Sequence, residues 1–161
     1  DIDGEAAEDE AGASGCMPDG NTIAIGAYLN DGSSLNVGHV RIYSWNGSEW
    51  LQKGEDIDGE ADQDRLGWSL DMPDNNTIAI GAYLNDGGEI NTGHVRIYNW
   101  NGSAWIQKGA DIDGEAADDR SGWSVSTPDA NTVAIGAYQN GGNGNDAGHV
   151  RIYEWNEVAW I

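Results

Sequence analysis

The sequence predicts an all-β fold of three four-stranded antiparallel repeats, and three observations carry that prediction. DIDGEA begins at Asp1, Asp56 and Asp111 and GHVRIY at Gly38, Gly93 and Gly148, so both landmarks recur every 55 residues without a gap. Apolar residues nowhere follow helical spacing; short runs rich in Val, Ile, Trp and Tyr stand between clusters of turn residues instead. Glycine supplies 24 of 161 residues against three prolines and no phenylalanine, which is the composition of many tight turns. The chain divides into copies at 1–55, 56–110 and 111–161.

Each element follows from the same pattern. The third copy reads GWSVS from Gly122, a turn at Pro128-Asp129-Ala130-Asn131, TVAIGAY from Thr132, a Gly/Asn loop, GHVRIYEW from Gly148, and VAWI to the end. In the first two copies Asn46-Gly47 and Asn101-Gly102 join the last pair of runs, a strong short hairpin signal. A two-residue turn there predicts Tyr43 opposite Trp50 and Tyr98 opposite Trp105. Asn156-Glu157 predicts a weaker turn in the third copy. The first copy has Ala13 where Trp68 and Trp123 stand, and Gly15-Cys16 where Leu70-Asp71 and Val125-Ser126 stand, which predicts a weaker inner strand. The third run of each copy is apolar on both faces, Val40 and Ile42 against Tyr43 and Trp45, as in a propeller blade held between neighbours.

GWSV, AIGAY, a glycine loop and GHVRIY, in that order in triplicate, resemble the repeat of integrin-α-type β-propellers, the FG-GAP family. The resemblance spans all three copies and implies blades of a propeller with an extracellular or cell-surface setting and an adhesive or interaction role. The pattern departs from the family at Phe-Gly, here Ala11-Gly12, Leu66-Gly67 and Ser121-Gly122. It departs again at Gly-Ala-Pro, here Gly26-Ala27-Tyr28, Gly81-Ala82-Tyr83 and Gly136-Ala137-Tyr138. Short Pro-Asp turns at Pro18, Pro73 and Pro128 replace the family's calcium loop, so that site does not carry over. Propellers close with roughly 4–8 blades. Three blades therefore predict an open arc completed by itself, as a homo-oligomer, or by further blades of a longer chain.

Seven Lys and Arg against 28 Asp and Glu give a net charge of −21, which repels phosphate backbones and anionic membrane surfaces. Nucleic acid is excluded as a partner on this ground. No uncharged apolar run approaches the ~18 residues of a membrane span, so no membrane insertion is expected. Because the chain opens at Asp1 and not at Met, a processed or excised piece is expected. Cys16, the single cysteine, allows no disulfide within the chain and is expected to be an inert thiol.

Candidate chemistry lies in the acidic loops. Asp56, Asp58, Glu60 and Asp64, with their counterparts Asp111, Asp113, Glu115 and Asp119, place hard oxygen ligands around a glycine, as calcium prefers. The EF-hand spacing is missing, and a solvated turn with Asp side chains capping backbone amides remains the other reading. His39, His94 and His149 all sit in GHVR, so a shared structural role, the imidazole hydrogen-bonded at a strand start, is expected. No Ser/His/Asp set or asymmetric carboxylate pair escapes the repeat, and no enzymatic activity is expected. The recurring Trp and Tyr serve blade packing and also permit a multivalent lectin with sugar sites between blades. Trp68 and Trp123, beside glycine on the inner strand, are candidates to line a channel. A protein or a glycan is the expected ligand class.

Overall fold

A computed structural model covering Asp1–Ile161 contains strands, turns and bends and no helix. Copy 1 contributes β1 (Ser14–Asp19), β2 (Thr22–Ala27), β3 (His39–Trp45) and β4 (Trp50–Gln52), hydrogen-bonded in that order with antiparallel pairs throughout. β5 (Ile57–Asp58), from the start of copy 2, joins the same sheet on β3, pairing Val40 with Ile57 and His39 with Asp58. Copy 2 repeats the plan with β6 (Ser69–Asp74), β7 (Thr77–Ala82), β8 (His94–Trp100) and β9 (Trp105–Gln107), and takes β10 (Ile112–Asp113) from copy 3. Copy 3 supplies β11 (Ser121–Asp129), β12 (Thr132–Ala137) and β13 (His149–Glu154), with a single Trp155–Trp160 bridge in the place of a fourth strand. The protein is all-β, with three antiparallel sheets of five, five and three strands. The sequence repeat and the sheets are offset, because each of the first two sheets ends on a strand borrowed from the next copy.

The hairpin register differs from the two-residue expectation. Trp45 pairs with Trp50 and Tyr43 with Gln52, and copy 2 pairs Trp100 with Trp105 and Tyr98 with Gln107. The cause is the asparagine side chain. Asn46 Oδ1 accepts from the Ser48 and Glu49 amides at 2.8 and 3.0 Å, which folds four residues into the loop and moves the pairing two places along. In copy 3 Asn156 Oδ1 makes the same bonds to Val158 and Ala159, at 3.0 and 2.9 Å, so the loop forms there too. Glu157 takes the positive φ, 79°, that Gly47 and Gly102 take at 102°. β1 forms over six residues like β6, although the tryptophan that precedes β6 and lies within β11 is missing before it.

Strand alternation splits each sheet between two cores. Ile78 and Ile80 of β7 face copy 1, packing with Val40, Ile42, Leu66 and Met72. Ala79, between them, faces copy 3 and joins Val95, Ile97, Val133 and Ile135. Burying one such side chain contributes about 1.5–3 kcal/mol. Polar ties repeat at both junctions: Ser14 Oγ donates to the Gly67 carbonyl at 2.5 Å and Ser69 Oγ to that of Gly122 at 2.7 Å. Trp105 and Trp160 indoles donate to the Lys53 and Lys108 carbonyls at 2.7 and 2.8 Å.

Candidate metal-binding junctions

The borrowed strand decides which side chains meet. β5 runs antiparallel to β3, so it carries Asp56 of copy 2 to His39 of copy 1, whose Nδ1 lies 3.7 Å from Asp56 Oδ2 and 3.8 Å from Glu5 Oε2. β10 does the same at the next junction, where His94 Nδ1 lies 3.6 Å from Asp111 Oδ2 and 4.0 Å from Asp113 Oδ1. In each of the sets Glu5–His39–Asp56 and Glu60–His94–Asp111 the ligand atoms lie within 4.8 Å of one another. Copy 3 repeats half of the arrangement: His149 Nδ1 stands 3.8 Å from Glu115 Oε2.

The residues singled out from the acidic loops are therefore divided. Asp56 and Glu60, on either side of β5, belong to two different junctions. Asp58 pairs through its backbone with His39, and its carbonyl accepts from Arg96 at 2.8 Å. Asp64 is buried and accepts from the Glu60 amide, the Ala61 amide and Asn85 Nδ2 at 3.1, 2.9 and 3.0 Å. Asp119 repeats this with Glu115, Ala116 and Asn140 at 3.2, 3.0 and 2.8 Å. Those two aspartates fasten their loops from inside, which is the turn-capping reading of these positions.

A guanidinium steadies each glutamate. Arg41 Nη1 lies 3.5 Å from Glu5 Oε1, Arg96 Nη1 lies 3.2 Å from Glu60 Oε1, and Arg151 pairs with Glu115. On Glu5 this leaves Oε2 as the oxygen nearer the imidazole. Gln52 and Gln107 hold the aspartates, with Nε2 2.5 and 2.6 Å from Asp56 Oδ1 and Asp111 Oδ1. Burial, and then the Arg96 charge, push the His94 pKa down to about 4, so its ring is neutral at pH 7. Burial, and then Asp111, raise that of Asp113.

The expected hydrogen bond of a strand-start histidine is absent at His94: neither Nδ1 nor Nε2 has a partner, although the side chain is 1% exposed. The meeting of each histidine with carboxylates is hidden in the sequence, because those carboxylates come from two copies. The available signal was the 55-residue recurrence of Glu5/60/115 with His39/94/149.

The aromatic residues beside the inner strands form a ladder of Tyr28, Trp68, Tyr83, Trp123 and Tyr138, with neighbouring ring centroids 4.4 to 5.0 Å apart. Two matching clefts open between sheets, one of about 210 Å³ lined by Asp56, Asp58, Tyr98 and Trp105 and one of about 220 Å³ lined by Asp111, Asp113, Tyr153 and Trp160. Compared with known proteins, the chain matches no family model and no curated protein, so the likeness to FG-GAP repeats rests on its own motifs.

Proposed function

We propose that the chain is an arc of three β-propeller blades of FG-GAP type that acts, at the cell surface or outside the cell, as a non-enzymatic interaction module completed by further copies of itself or by further blades of a longer chain. One observation carries this reading. Val150 and Ile152 on β13 are each 68% exposed, whereas their equivalents Val95 and Ile97 are 0% and 2% exposed and Val40 and Ile42 are 0% and 1%. The same apolar face is shut by a following copy at both earlier positions. At the end of the arc it is open, together with the edge of β13 on which a strand like β5 or β10 would pair. An exposed apolar face with a built partner elsewhere in the same chain favours self-association, and Ile2-Asp3, equivalent to β5 and β10, form no strand within the chain.

Light scattering across a concentration series tests it. The parent is expected to associate to a dimer or larger ring, and Val150→Asp with Ile152→Asp is expected to be monomeric with an unchanged far-UV spectrum. A parent that stays monomeric at high concentration overturns the closed assembly.

The two clefts favour a second reading of the ligand. Each offers a Trp and a Tyr beside two aspartates, a combination that can stack a sugar ring and bond its hydroxyls. Glycan-array binding lost in Trp105→Ala and Trp160→Ala would favour a multivalent lectin. Binding by neither variant nor parent would leave a protein ligand as the working class.

A further inference from the structure

We propose that Glu60, His94 and Asp111 form a site for a divalent transition-metal ion of the zinc type at the second junction, and that Glu5, His39 and Asp56 repeat it at the first. The argument begins with His94. A ring nitrogen pair that is 1% exposed and has no hydrogen-bond partner leaves polar atoms desolvated without compensation, a state that folded proteins rarely keep. Its Nδ1 faces carboxylate oxygens, yet the 3.6 Å to Asp111 Oδ2 is too long for a hydrogen bond. Two ligands bonded at about 2.0–2.1 Å to one tetrahedral zinc stand roughly 3.3 Å apart, so the observed separation suits a shared ion better than a direct contact. The first junction repeats the spacing, with His39 Nδ1 at 3.7 and 3.8 Å from two carboxylates and a side chain 2% exposed.

The donor set chooses the ion. Calcium and magnesium take oxygen ligands, whereas one imidazole with two carboxylates suits zinc and its neighbours and leaves a coordination position for water. Charge agrees. Two carboxylates and one arginine give each set a net −1, which a dication reverses without crowding like charges. Arg96 on Glu60 Oε1 and Gln107 on Asp111 Oδ1 hold the carboxylates in place, as outer partners do around bound metals. At the second junction Glu60 follows β5 of the first sheet while His94 and the strand after Asp111 belong to the second, so the ion there would bolt those two sheets together.

The test counts metal on the full chain. Protein freed of metal by chelator is equilibrated with zinc in high monovalent salt, which screens loose binding to the acidic surface, then desalted and analysed by mass spectrometry. Two equivalents per chain are expected, falling to one in His94→Gln and to none in His39→Gln with His94→Gln. Because His94 is buried, Asp111→Asn serves as the second variant: its side chain is 28% exposed, and it should lose the same single equivalent while keeping the parent's circular dichroism. Cobalt should give the visible absorption bands of a nitrogen- and oxygen-ligated ion in the parent and lose them in the double variant. The proposal is overturned if the parent retains less than one equivalent, if Asp111→Asn or the double variant retains the parent's two, or if calcium displaces zinc at equal concentration.

Discussion

Gly81 packs directly under the carbonyl of Gly122 in the neighbouring sheet: a β-carbon built on Gly81 would stand 2.2 Å from that oxygen. Gly26 meets the Gly67 carbonyl in the same way at 2.3 Å. These contacts explain why AIGAY carries glycine at its centre, since the two backbones approach too closely for any side chain. At Gly136, in copy 3, the only atom under 3 Å is the Ser124 hydroxyl, which can rotate away.

Gly81→Ala should therefore cost about 1–3 kcal/mol or more through overpacking, while Gly136→Ala should cost less than about 1 kcal/mol. Urea melts of the two variants check this. Equal losses would mean that the close stacking of sheets does not exist in solution.

A second contrast tests the open face. Ile97→Ala should cost about 2–5 kcal/mol because it leaves a cavity in a shut core. Ile152→Ala, at the equivalent place on β13, should change the stability of the dilute chain by less than about 0.5 kcal/mol, as surface substitutions do. If Ile152→Ala is as costly as Ile97→Ala at high dilution, that face is covered within the single chain.

The repeat, the strand order and the turns were legible because each rests on local chemistry: period-two alternation around Ile78 and Ile80, and turn residues such as Pro73-Asp74. The register of the Asn46 and Asn101 hairpins was not. Glycine suggested the turn, but the side chain of Asn46 sets the loop, and a side-chain acceptor does not announce which amides it will cap. The junction sites were hidden for a different reason. Reading along the chain groups Asp56 with Glu60, whereas the pairing of β5 with β3 sends Asp56 back to His39 and leaves Glu60 for His94. The internal hydrogen bonds of Asp64 were not legible either, because burial, which lets a carboxylate fasten its loop from inside, is a tertiary property.

Asp64 supplies a third prediction. Its carboxylate accepts two backbone amides and Asn85, so Asp64→Ala leaves three donors unpaired and should cost about 2–4 kcal/mol, charged hydrogen bonds being worth about 1.5–3 kcal/mol each at most. The loss should be the same with and without chelator. A loss that vanishes in chelator would return Asp64 to the metal ligands.

Cys16 gives the pH prediction. Burial against the first core, and then the charge of Asp71, push its thiol up from 9.0 to about 12. The unfolded chain releases this proton near pH 9 and the folded chain holds it to about pH 12, so between those values the folded state binds more protons and stability falls as pH rises. The contribution is complete below pH 9, and its loss across the window amounts to a few kcal/mol. Comparing urea melts of the parent and Cys16→Ala from neutral to alkaline pH isolates it, because the other titrating groups are common to both. The parent should lose its advantage only above pH 9. Alkylation offers an independent reading at pH 8, where a thiol shifted this far holds roughly a thousandfold less thiolate than an ordinary one and should react correspondingly slowly until urea unfolds the chain. Rapid labelling of the folded protein, or a parent-to-variant difference that does not change with pH, would show that Cys16 lies open to solvent and not against the first core.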